Sequence, residues 1–192
     1  MSTDIFIYLI ITSFIYGFGQ DFADLLDEHG LKWFKGSAII IGVISGIAAG
    51  IRMILYAPTG AQEVAILLYW LVMNKLDYLN HQISAAIILL FSFWSFRSGI
   101  LDFSLTMICF LTILAVNIIA KQIKKRYGDV WFLFMRRYIS IIVISIIVGS
   151  ILPFLFHLFA MLGVIVSTLW FERFEKNNKT LFYRKIGLSL KR

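Results

Sequence analysis

The sequence predicts an all-α fold, a polytopic bundle of about seven transmembrane helices with its N-terminus outside and its C-terminus in the cytosol. Three observations carry that expectation. Hydrophobic residues make up 60% of the 192-residue chain and charged residues 15%, against roughly 25% charged in an ordinary soluble domain. The apolar residues fall in long blocks instead of amphipathic stripes, so lipid must be the solvent for most of the chain. The basic residues gather between alternate blocks, as the positive-inside rule asks of cytosolic loops.

In chain order, the first span is Ile5 to Phe18. No Lys or Arg precedes it and no small-residue cleavage site closes it, so it is expected to stay as a span and not be removed as a leader. A polar stretch follows, in which Asp21, Asp24 and Glu28 share one helical face and Phe22, Leu25 and Leu26 the other. That pattern predicts an amphipathic segment lying at the cytosolic interface. Span two is Ser37 to Ala57, closed by a turn at Pro58-Thr59-Gly60. Span three runs from Ala61 to about Leu79, span four from Ile83 to Phe96, and span five from Phe103 to Ala120. A basic loop, Lys121 to Arg137, comes next.

The block from Tyr138 to Phe171 would make a helix of about 51 Å at ~1.5 Å per residue, against a hydrocarbon core of ~30 Å. Pro153 sits near its middle, after Gly149 and Ser150, where a break costs least. Splitting it gives spans six (Tyr138 to Leu152) and seven (Pro153 to Phe171). Seven spans then place all but Arg52 and Arg97 of the 18 basic residues on one side. Six spans would put the Lys121 cluster and the C-terminal cluster on opposite faces. Trp33, Trp131 and Trp170 fall at the same predicted cytosolic boundary. Residues 1–171 are therefore the bundle, and 172–192 a basic juxtamembrane tail along the headgroups.

The net charge of +7 is explained by topology and anionic lipid, so nucleic acid is not an expected partner. The lone Cys109 excludes an intramolecular disulfide, a CxxC pair and a multi-cysteine metal site. GxSxG, P-loop, HExxH and GxGxxG motifs are all missing. Serine hydrolase, NTPase, zincin and dinucleotide-enzyme readings lose their usual support.

Four groups of residues stand out. Gly42, Gly46 and Gly50 lie on one face of span two and let another backbone approach closely, within the chain or in a homo-oligomer. Arg52 and Glu63 flank the Pro58 turn at nearly equal distances, so a hairpin pairs them, and pairing is the usual remedy for charge in hydrocarbon. Arg97 and Asp102 have the same look at the next outer turn. Asn117 and His157 are intramembrane polar residues suited to interhelical hydrogen bonds or to a solute. On the cytosolic side, Asn74, Asp77 and His81 are spaced to share one face at the end of span three. With carboxylates such as Asp21 and Asp24 from the first loop, they form a candidate site for Mg²⁺ or Mn²⁺.

Three functional classes fit. A small transport or solute-binding membrane protein would use Arg52, Glu63, Asn117 and His157. A metal-dependent enzyme would act on a lipid-phosphate substrate through Asp77, His81, Asp21 and Asp24. An assembly partner in a membrane complex would use the glycine face. The first is favoured, because most polar residues are accounted for without catalysis. The expected location is the cell membrane.

Overall fold

The computed structural model describes residues 1–28, 34–74, 76, 78–127 and 138–177. Within them are seven α-helices: α1 (Thr3–Glu28), α2 (Ser37–Leu55), α3 (Ala57–Val72), α4 (Leu79–Arg97), α5 (Phe103–Tyr127), α6 (Ser140–Val148) and α7 (Leu152–Asn177). Five of them (α1, α2, α4, α5 and α7) are long and apolar enough to cross a membrane. The distribution of polarity points the same way. Leu90, Phe93, Ile146 and Ile151 are each at least 70% exposed, while Arg52, Glu63, Gln62, Asn80 and Ser84 are at most 2% exposed. Water would reject that arrangement, and lipid rewards it. The chain is a multi-pass helical membrane protein.

Contacts between helices fix their relative directions. Phe6 meets Phe156 and Phe22 meets Trp170, so α1 and α7 run parallel. Gly19 abuts Ser45 while Tyr16 faces Arg52, so α2 runs against α1. Gly42 abuts Asn80 and Gly50 abuts Phe91, which makes α4 parallel to α2. Gly60 lies on Leu101 and Tyr69 on Asn117, which makes α5 parallel to α3.

Two crossings bring backbones together. Along α2, Cβ atoms added at Gly42 and Gly46 would lie 3.0 Å from the Asn80 carbonyl and 3.1 Å from Ser84 Cα; at Gly50 one would enter the Phe91 ring. The glycine face is thus occupied by α4 of the same chain, and no second copy is needed to cover it. The other crossing, α1 on α7, is tighter. A Cβ at Gly17 would sit 1.9 Å from the Ala160 carbonyl oxygen, and one at Gly163 2.4 Å from that of Phe14.

Several expected boundaries change. The first span does not end at Phe18: α1 continues to Glu28, because Phe22 and Leu26 bury against Phe171 with Trp170 packed on them. The acidic residues expected on a separate interfacial segment therefore belong to the bundle. The turn after α2 is a single residue, Tyr56, and Pro58 lies in the first turn of α3. Proline is tolerated there, since its missing N–H would have no partner in any case, and the Thr59 hydroxyl donates to the Tyr56 carbonyl at 2.7 Å. Helix α3 stops at Val72, with Asn74 in the left-handed region at φ 50°, a conformation asparagine accepts and helix ends use. Asp102 does not form an ion pair with Arg97 among the described residues. Its Oδ1 instead accepts from the Leu105 N–H at 2.6 Å and caps α5.

The long final block breaks where Gly149 adopts φ 67°. A continuous helix would hold Tyr138 and His157 about 28 Å apart, yet their ring centroids are 6.1 Å apart. The chain reverses between α6 and α7. Helix α7 runs past Phe171 to Asn177; residues 178–192 of the expected tail, with Trp33, Trp131 and most of the basic loop, lie outside the described residues.

Candidate functional site

Because α1 extends beyond Phe18, Tyr16, Gln20 and Asp24 recur at four-residue intervals and share one face. That face looks into a cavity of about 250 Å³ between α1, α2, α3 and α7, lined also by Asp21, Arg52, Gln62, Glu63, Trp70 and His157. A larger hollow of about 400 Å³ lies at the α6–α7 reversal. Its rim includes the highly exposed Ile146 and Ile151, so it is a lipid-facing surface groove.

At one end of the cavity, Arg52 Nη1 lies 2.8 Å from Glu63 Oε1, with the two side chains 1% and 2% exposed. The approach is close but not aligned as a hydrogen bond, and Arg52 Nε has no hydrogen-bond partner. The Tyr16 ring centroid is 5.2 Å from the guanidinium carbon, a cation–π distance. Gln62 is 1% exposed, and its Oε1 is likewise without a hydrogen-bond partner. Buried polar atoms in such a state cost about 1–3 kcal/mol each.

Further along α1, Gln20 Oε1 accepts from Ser45 Oγ at 3.0 Å and Ser84 Oγ at 3.3 Å, which leaves its Nε2 without a partner. Asp21 Oδ2 accepts from the hydroxyls of Ser167 and Thr168 on α7. Asp24 Oδ1 accepts from Asn80 Nδ2 at 3.1 Å and lies 2.5 Å from His81 Nε2. The His81 ring stands 6.0 Å from that of Trp70, so Trp70 marks the Asp24 end. Asp24 retains 30% side-chain exposure, which opens this end more than the Arg52 end.

The structure brings Arg52, Glu63, His157, Asp21 and Asp24 to one cavity, with His81 touching Asp24 from outside the lining. Asn117 is not among them. Its Oδ1 accepts from the Tyr69 hydroxyl at 3.0 Å and its Nδ2 donates to the Ile113 carbonyl at 2.8 Å, a satisfied cross-link between α3 and α5. Helix α3 ends at Val72 and His81 belongs to α4, so His81 is not at the end of the third span as expected. Asp77 itself lies outside the described residues. Among the described residues no three His, Cys, Asp or Glu side chains converge as a metal site.

Tyr16, Gln62 and Trp70 were not singled out from sequence. Gln62 carried a signal, as an amide beside Glu63 in an apolar run; Tyr16 and Trp70 read as ordinary aromatics of a span. The described lining contains no Ser, Thr or Cys; it offers the Tyr16 phenol, carboxylates, an imidazole, amides and a guanidinium. No protein-family model, curated protein or solved structure matches the chain.

Proposed function

We propose that the protein is a small transport or solute-binding membrane protein of seven spans, N-terminus outside, whose site is the cavity between α1, α2, α3 and α7. One observation carries the reading: buried polar atoms of Arg52, Gln62 and Gln20 lack hydrogen-bond partners and line the same 250 Å³ cavity. Buried polar groups are nearly always paired, and a polar solute entering the cavity would pair these. A protein built only for assembly gains nothing from such a hollow. An enzyme using a serine, threonine or cysteine nucleophile would need a group the lining lacks.

Access to the cavity tests the reading. In a Cys109→Ser background, Ile66→Cys and Met161→Cys place thiols in the lining, and Leu90→Cys places one against lipid. A small membrane-impermeant thiosulfonate should label the two lining positions and spare position 90. Labelling from both membrane faces marks transport, and labelling from one face marks binding alone. If neither lining position reacts from either face, the cavity is sealed and the proposal fails.

A further inference from the structure

Resting on the solute-binding reading, we propose that the solute is a small organic cation whose ammonium group is held at the Asp21–Asp24–Trp70 end of the cavity. The charge of the lining leads there. Arg52 and Glu63 compensate each other at 2.8 Å, which leaves Asp21 and Asp24 in excess. His81 contacts Asp24, yet with that imidazole protonated and His157, the imidazole of the lining, neutral, one carboxylate stays uncompensated. The hydroxyls of Ser167 and Thr168 orient Asp21 without neutralising it. In a low-dielectric bundle such an excess attracts cations.

Size and surface choose among cations. The cavity of about 250 Å³ is several times the ~30 Å³ share of one water, too roomy for a bare metal ion held by direct ligands. Among the described residues no three His, Cys, Asp or Glu side chains converge as a metal site, and Asp24 with His81 supplies two donors only. An indole face beside a carboxylate is instead a common way to hold an organic ammonium, and Trp70 lies at the Asp24 end. At the opposite, Arg52–Glu63 end, Gln62 Oε1, buried and without a hydrogen-bond partner, supplies an acceptor for a donor elsewhere on the solute.

Isothermal titration of the full chain in detergent micelles, at constant ionic strength, decides the matter with three probes of similar size: ethylammonium, propionate and propanamide. Ethylammonium should bind saturably and raise the melting temperature, while the other two do neither. Asp21→Asn and Asp24→Asn should each weaken that binding by about tenfold or more, and Asp4→Asn, on the exposed first turn of α1, should not. If an Asn variant does not fold, Trp70→Leu should weaken ethylammonium and Trp70→Phe restore part of the loss. Binding of propionate or propanamide in place of ethylammonium overturns the cation assignment and keeps the cavity as a solute site. Stabilisation by Mg²⁺ or Mn²⁺ alone overturns it in favour of a metal at Asp24 and His81. No binding by any probe, together with unreactive cavity thiols, overturns both.

Discussion

Arg52 and Glu63 show how a single residue pair can be legible in sequence while its surroundings are not. Their similar distance from the Pro58 turn implies contact, and the structure places them 2.8 Å apart and buried. Sequence does not tell that the contact is imperfectly aligned, or that the Tyr16 ring covers the guanidinium. Taking one charge from a buried pair leaves the other uncompensated, at a cost of about 3–5 kcal/mol. Arg52→Met and Glu63→Gln should each lower stability by that order, and the double variant by less than their sum. Reversible unfolding in mixed micelles measures all three. Strictly additive losses would mean that the two charges do not depend on each other.

At the scale of helices, the tightest contact is one the sequence pattern did not announce. Gly42, Gly46 and Gly50 form a plain four-residue series, and α4 packs on it. The α1–α7 crossing uses Gly17 and Gly163 with Ala160, split between segments far apart in the chain, so no local spacing reveals it. Here a Cβ at position 17 would meet a backbone carbonyl at 1.9 Å, whereas at position 42 it would touch at 3.0 Å. Backbone cannot swing aside as a side chain can, and overpacking usually costs about 1–3 kcal/mol even where neighbours yield. Gly17→Ala should therefore destabilise by more than that range and separate α1 from α7, while Gly42→Ala should stay at or below its lower end. Thermal melts of the two variants rank them, and equal losses would contradict the packing described. Helix interiors were readable from hydropathy alone, since apolar blocks long enough to span lipid have few other fates. Helix ends were not. Phe22 and Leu26 extend α1 because Trp170 and Phe171 wait for them across the bundle, and no window of sequence contains both partners. The same error hid the site, since the Tyr16, Gln20 and Asp24 face exists only once α1 is carried past Phe18.

At the scale of the whole molecule, directions inferred from packing and sidedness inferred from charge are independent constraints on one topology. Contacts along the chain make α1 and α7 parallel, and consecutive helices alternate in direction. An odd number of crossings follows if each helix passes from one face to the other. The basic clusters supply the sign, because Lys121 to Arg137 and the C-terminal residues share a side only when the number is odd. The weak element is α6, whose nine residues rise only about 13 Å, well short of a ~30 Å core. It needs help from the segment before it to complete a crossing. Sidedness reporters fused near residues 2, 59, 128 and 190 should read outside, outside, inside and inside. The pair at 128 and 190 bears on α6: opposite faces would mean that α6 does not cross, and would contradict the parallel packing of α1 and α7. The cavity's orientation is tied to the same outcome. With α1 running inward, the more open Asp24 end faces the cytosol and the Arg52–Glu63 pair closes the outer end. A reporter at residue 2 on the cytosolic side would invert the site, so that Asp24 opens outward and the ion pair becomes the inner barrier.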